Sequence, residues 1–339
     1  MALKIDIFNH FFPKRFWDEF MTFSYGLKDM GKRVRNIPGI FDLETRFRTM
    51  DQFDEYTQVL SLGSPPVEGL FNAERAPEMA RIGNEGLAEL CQKYPDRFIG
   101  FISSLAMTDP DEAVKEVTRS VKELGAKGIQ LYTNVTGQAL DEPKFLPVFE
   151  EANKLDVPIW LHPARGANHP DYLTEKKSKY EIWWTFGWPY ETSTACARMV
   201  FSGFFDRWPN MKLITHHMGG MIPYFEGRVG YGWDALGTRT TDEGYEDLLK
   251  SINAKGKRPV DYFRLFLADT ALFGARAATV CGLDFFGLDN VVFASDTPFE
   301  PTPGLYIRET IKVIESLDLT ADQKDQIFRR NAMKLLKLK

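Results

Sequence analysis

Cysteine is scarce in this chain of 339 residues: Cys91, Cys196 and Cys281 are widely separated, odd in number and without paired spacing. That leaves no disulfide framework and points to a reducing, cytoplasmic compartment. Dense basic runs are missing, and the net charge is −5 with a pI near 5.7, which argues against nucleic acid as a partner. No stretch is long and apolar enough to span a bilayer, and Met1 to Asp6 lacks the apolar core of a signal peptide, so no membrane partner is expected. Repeats, low-complexity tracts and linkers are absent as well. What remains is 44% hydrophobic content, enough to bury a sizeable core, and one domain over residues 1–339 is expected.

Apolar strand-like runs alternate with helical spacing along the whole chain. The strands are expected at residues 5–10, 57–62, 98–103, 128–132, 158–162, 213–217, 264–269 and 291–296. Between them, Ala73 to Tyr94 has helical spacing, and Thr108-Asp109-Pro110-Asp111-Glu112 reads as a capped helix start with acidic residues in its positive first turn. Two amphipathic helices, near 304–317 and 320–336, finish the chain. This alternation is what a parallel sheet with covering helices looks like from sequence, and it predicts an α/β fold, a (β/α)8 TIM barrel. Residues 11–52, after strand one and without a strong period, and 163–191, after strand five, are too long for ordinary connections and read as active-site insertions. Arg33, Arg35, Arg46 and Arg48 fall in the first and read individually as solvated surface. The second is dense in aromatic residues, which suits a pocket wall or an oligomer contact.

The chain has five histidines, and four of them close predicted strands. His10 ends the first, on the face expected to carry Asp6 and Phe8. His162 ends the fifth, and His216 and His217 end the sixth. Asp296 ends the eighth. In a barrel such ends converge, so two imidazoles and a carboxylate, His10, His162 and Asp296, form a ligand set for a divalent ion, zinc first and manganese second. Such an ion acts as a Lewis acid and lowers the pKa of bound water. Side chains alternate along a strand, so only one of His216 and His217 is expected to face the interior. Met218-Gly219-Gly220 lets the backbone bend sharply and approach a ligand.

These residues resemble the amidohydrolase superfamily, and within it the decarboxylases of 2-amino-3-carboxymuconate 6-semialdehyde and γ-resorcylate. The resemblance rests on Ile5-Asp6-Ile7-Phe8-Asn9-His10, Arg46-Phe47-Arg48-Thr49-Met50-Asp51, Leu161-His162-Pro163, Pro189-Tyr190-Glu191-Thr192, His217-Met218-Gly219-Gly220, Gly227-Arg228 and Ser295-Asp296-Thr297-Pro298-Phe299. It implies a metal on His10, His162 and Asp296, with His217 as the catalytic histidine and Asp296 as a second candidate acid. It further implies Arg228 and Trp184 as substrate-binding residues, Arg228 reaching across a homodimer, and an insertion arginine, Arg33 or Arg35, on the substrate. One position departs: Phe8 stands where the family has histidine or an acidic residue, and a phenyl ring cannot ligate. Three ligands plus water then remain unless His217 moves in, and the ion is held less tightly.

The reaction implied is a non-oxidative decarboxylation of a small aromatic or muconate-like carboxylic acid. A hydrolase or hydratase of the same superfamily, acting on a lactone, amide or alkene acid, is the second reading. A non-catalytic binding protein with a degenerate metal site is the third.

Overall fold

The computed structural model describes residues 3–23, 29–240 and 244–338. Its parallel strands are β1 (Lys4–His10), β2 (Tyr56–Ser61), β3 (Phe98–Phe101, continuing through Ser103–Ser104), β4 (Ile129–Tyr132), β5 (Ile159–His162), β6 (Leu213–Thr215), β7 (Leu267–Asp269) and β8 (Val291–Val292). They pair in the order β1-β2-β3 and, in reverse, β8-β7-β6-β5-β4 onto the continuation of β3. Ile102 joins the two halves of β3 by donating its N–H to the Leu60 carbonyl at 2.9 Å. Three further bonds close the ring: Ile7 N–H to Phe293 O at 3.1 Å, Asp296 N–H to Phe8 O at 2.9 Å and His10 N–H to Thr297 O at 3.0 Å. The fold is therefore a (β/α)8 barrel, and its closure sets His10 beside Asp296, residues from opposite ends of the chain.

Two apolar layers follow from the alternation of each strand. Inside the ring lie Ile5, Ile7, Val59, Ile102, Trp160, Ile214, Val292 and Ala294, with the C-terminal residues Ala332, Leu335 and Leu336 packed into the same cluster. Trp160 is fully buried there, its indole N–H donating to Ile7 O at 3.0 Å. The alternate residues, among them Leu60, Phe101, Leu131, Leu161, Leu213 and Ala268, pack outward against the helices. Those helices start where the sequence says they should. Asp109 caps Pro110–Lys122 by accepting from Glu112 N–H at 3.1 Å, and Thr320 with Gln323 forms a reciprocal capping box before Ala321–Asp325.

Four expectations need correction. Asp6 does not share a face with Phe8 and His10, whose rings meet at 5.2 Å, because the register of β1 against β2 shifts between Asp6 and Asn9. Phe8 joins Ile5 and Ile7 in the inner cluster, while Asp6 points outward to Tyr56 and Ser295. A bulge of this kind re-aims the residues beyond it. The first insertion is not aperiodic: Phe12, Phe16 and Phe20 recur at helical spacing, and Lys14–Phe23 lays them against the helix Ala76–Lys93. Arg46 is not solvated surface. It is 1% exposed, and its guanidinium holds the carbonyls of His10 and Gly39. Finally, β6 stops at Thr215 and β7 begins only at Leu267, since residues 264–266 turn out of the helix Pro259–Phe263.

Asp6 acts as the clasp of the closure, accepting from Tyr56 Oη at 2.5 Å, Ser295 Oγ at 2.5 Å and the backbone N–H groups of Phe8 and Ser295 at 3.2 Å each. Burial pushes its carboxyl up to about 6 against the pull of those donors. A carboxyl raised above its unfolded value contributes its stability fully below the unfolded pKa and loses it as the pH rises through the folded one. Asp6→Asn, which cannot ionise, is therefore expected to show its largest stability deficit near pH 4 and a smaller one at pH 7, read by urea unfolding. A deficit that widens with pH would contradict this account.

Candidate active site

The carboxyl-terminal mouth of the barrel gathers every histidine that closes a predicted strand. His10, the last residue of β1, places Nδ1 3.1 Å from Leu62 O and Nε2 3.1 Å from Asp296 Oδ1. His162, the last of β5, places Nδ1 2.7 Å from Pro163 O. Beyond β6, His216 is still extended, but His217 and Met218 take left-handed backbone at φ of 53° and 52°. Asp296 does the same at 63°. Non-glycine residues rarely adopt this conformation, and where they do, the strain is commonly held at functional sites.

That turn overrides the expected alternation of His216 and His217. Both rings face the mouth, with centroids 3.7 Å apart, because alternation applies only while the chain stays extended. Asp269, at the end of β7, fixes the pair: its Oδ2 lies 2.5 Å from His216 Nδ1, and its Oδ1 accepts the backbone N–H of His217 at 3.0 Å. His216 and Asp269 went unassigned in the sequence. The signal was there for Asp269, since it ends a predicted apolar strand as Asp296 does, although in the structure β8 stops at Val292 and Asp296 lies in the turn beyond it.

The electrostatics divide the cluster. Burial opposes ionisation of Asp296, yet the neighbouring imidazoles of His10, His216 and His217 hold its carboxyl well below the usual range. Burial lowers His10, and it lowers His162 further with the help of the neighbouring imidazoles. His217 is lowered by burial and by His216. His216 resists burial and is raised to about 9 by Asp269 and Asp296. Ligand atoms of His10, His162 and His216 lie within 4.8 Å of one another, as do those of His216, His217 and Asp296. Among the described residues no such trio contains both His162 and Asp296; His216 is common to the two that exist. The neutral imidazoles of His10 and His162 beside an ionised carboxylate fit a divalent ion, and His216 would release its proton on joining them.

Beside the cluster opens a cavity of about 150 Å³, on the order of the volume that holds one benzene ring. His217, Asp296, Trp184, Trp188, Phe299 and Tyr306 wall it, and Arg33 is the one arginine or lysine there among the described residues. The Arg33 guanidinium lies 4.8 Å from the Trp184 ring and 5.3 Å from Phe299, sandwiched over the opening. Among the described residues of the first insertion, Arg33 reaches this wall and Arg35 does not. Arg228 is exposed and also off the wall, its guanidinium 5.6 Å from Phe225.

A family model described as amidohydrolase matches residues 5–338. The chain belongs to the amidohydrolase family. It is 30% identical to the 2-amino-3-carboxymuconate-6-semialdehyde decarboxylase of Dictyostelium discoideum over 99% of this chain and 92% of that protein. It is likewise 30% identical to the γ-resorcylate decarboxylase of Rhodococcus jostii, over 97% of this chain and 93% of the relative. Among solved structures, a dihydroxybenzoic acid decarboxylase of Polaromonas with bound manganese and the inhibitor 2-nitroresorcinol superposes with a TM-score of 0.79. That likeness comes at 27% identity and covers 100% of this chain and 98% of the other.

In this amidohydrolase the bend carrying His217 depends on Gly220, at φ 64° and ψ −116°, where an added Cβ would sit 2.5 Å from Pro189 O. Gly220→Ala is expected to cost at least about 1–3 kcal/mol of unfolding free energy. Gly227→Ala, with nothing within 4 Å of the new methyl, is the control and is expected to be near neutral. Equal effects of the two in denaturant titrations would contradict the constraint.

Proposed function

We propose that the protein is a metal-dependent non-oxidative decarboxylase of a small aromatic carboxylic acid. The observation that carries this is the ring-sized cavity lined by both Arg33 and the His217–Asp296 pair, which offers one cation for a carboxylate and one proton-carrying couple. The aromatic walls Trp184, Trp188 and Phe299 suit a flat ring. A single divalent ion belongs with the site, on His10, His162 and Asp296; the imidazole-rich donor set favours zinc over manganese. When bound, such an ion supplies Lewis acidity toward the electron pair released by a departing carboxylate.

The residues do the following. Arg33 orients the carboxylate and presses the ring against Trp184. His217 Nε2 lies 3.5 Å from Asp296 Oδ2 at the cavity wall. Once His217 has taken a proton from water the couple is an imidazolium beside a carboxylate, and giving up that proton leaves a neutral imidazole. That proton passes to the ring carbon bearing the carboxylate. The bond to the carboxylate then breaks, its electron pair restores the ring, carbon dioxide leaves, and water returns a proton to the couple. Fixed charges do this work without reorganising.

Arg228 belongs to this reading through a second copy of the chain. It is exposed, and so are Tyr172, Tyr180, Phe186 and Tyr190 of the second insertion, at 74%, 90%, 75% and 54%. A homodimer covering these rings and bringing Arg228 to the partner's cavity accounts for both.

Incubation with γ-resorcylate and related hydroxybenzoates in deuterated water tests the reaction. Carbon dioxide should be released, with one deuterium placed at the carbon that carried the carboxylate. Oxygen incorporated from heavy-oxygen water, without carbon dioxide, would favour the hydrolase or hydratase reading instead. His217→Asn and Asp296→Asn should each lower kcat by roughly 10²- to 10⁴-fold.

A further inference from the structure

Phe8 removes a ligand from the position where relatives of this chain are expected to have one, and the residue packed face to face on Phe8 is His216. The two rings stack with centroids 3.8 Å apart and planes 19° from parallel. Phe8 also meets the His10 ring edge-on at 5.2 Å and lies 5.6 Å from His162. One phenyl ring thus packs against all three imidazoles.

Each of those imidazoles has the same polarity. Nδ1 is tied down, by Leu62 O for His10, by Pro163 O for His162 and by the Asp269 carboxylate for His216. Nε2 is the nitrogen left to face the mouth. Metal-bound histidines are held in this way, with the remote N–H donated to a carbonyl or carboxylate that fixes ring and tautomer. His216 has the strongest such anchor of the three, a buried carboxylate at 2.5 Å.

The Nε2 of His216 is buried and has no hydrogen-bond partner. Its nearest charge is Asp296 Oδ1, 3.4 Å away without hydrogen-bond geometry, and that same oxygen lies 3.1 Å from His10 Nε2. Ligands about 2.0–2.1 Å from a tetrahedral zinc ion stand about 3.4 Å from one another, so these separations leave the atoms room to share an ion, and the ligand atoms of His10, His162 and His216 already lie within 4.8 Å of one another. His217 is placed differently. It approaches the other oxygen, Asp296 Oδ2, and lines the cavity.

We infer that His216 is a ligand of the metal, joining His10, His162 and Asp296 in place of the ligand that Phe8 cannot supply. The neighbouring histidines then divide the work: His216 serves the ion and His217 serves the substrate. This inference rests on the metal-dependent reading above, and the test separates the two.

X-ray absorption at the zinc edge of the full-length, zinc-loaded protein counts coordinated imidazoles, and chelator competition gives the zinc Kd. Three imidazoles are expected for the wild type. His216→Gln should leave two and weaken zinc by at least about 100-fold. His217→Asn should keep three imidazoles and an unchanged Kd. If the wild type binds zinc through two imidazoles, or His216→Gln retains the wild-type count and affinity, the ligand assignment falls and the metal-dependent reading stands. If the wild type takes up neither zinc nor manganese, both fall together. Should His216→Gln fail to fold, the wild-type imidazole count decides alone.

Discussion

The buried carboxylate of Asp296 is the charge around which the barrel mouth is arranged. It sits among three imidazoles, with Oδ1 toward His10 and His216 and Oδ2 toward His217. An ion in such a setting is stable only when every neighbour compensates it, and here the neighbours come from β1, from the turn after β6 and from Asp296's own left-handed turn. The backbone bonds that close the ring between β1 and residues 293–297 deliver the carboxylate to this place. Closure of the fold and assembly of the site are the same set of contacts.

A second layer of support keeps the groups from drifting. Arg46, buried and with burial pushing its guanidinium down to about 10, holds the His10 carbonyl from behind. Asp269 ties His216 through its ring and His217 through its backbone, so one carboxylate sets the relative position of two histidines. Side chains held by packing and by secondary hydrogen bonds give a site its precision. The Phe8 ring adds to this by filling the space a polar residue would need, which makes the floor of the site drier and stiffer.

Much of the fold was legible in the sequence because its elements carry strong local signals. Proline and acidic residues after Asp109 mark a helix start, and Ile159-Trp160-Leu161-His162 reads as a buried strand with a polar end. The chemistry at strand ends was legible for the same reason: a histidine or aspartate closing an apolar run has few other uses. The insertion helix Lys14–Phe23 was readable too, through Phe12, Phe16 and Phe20, but turn formers further along obscured it. Arg46 could not be placed, since nothing local distinguishes an arginine that braces a carbonyl from one that faces water.

The sequence by itself determined the alternation of strands and helices, the polar residues at the strand ends and the gap at Phe8, all properties carried by residue type and spacing. Only the tertiary structure decided which way those residues point. The bulge in β1, the left-handed turn through His217 and the stacking of Phe8 on His216 each depend on contacts between segments distant in sequence. Side-chain direction at a strand end is set where alternation stops, and there packing against the rest of the ring takes over from local periodicity.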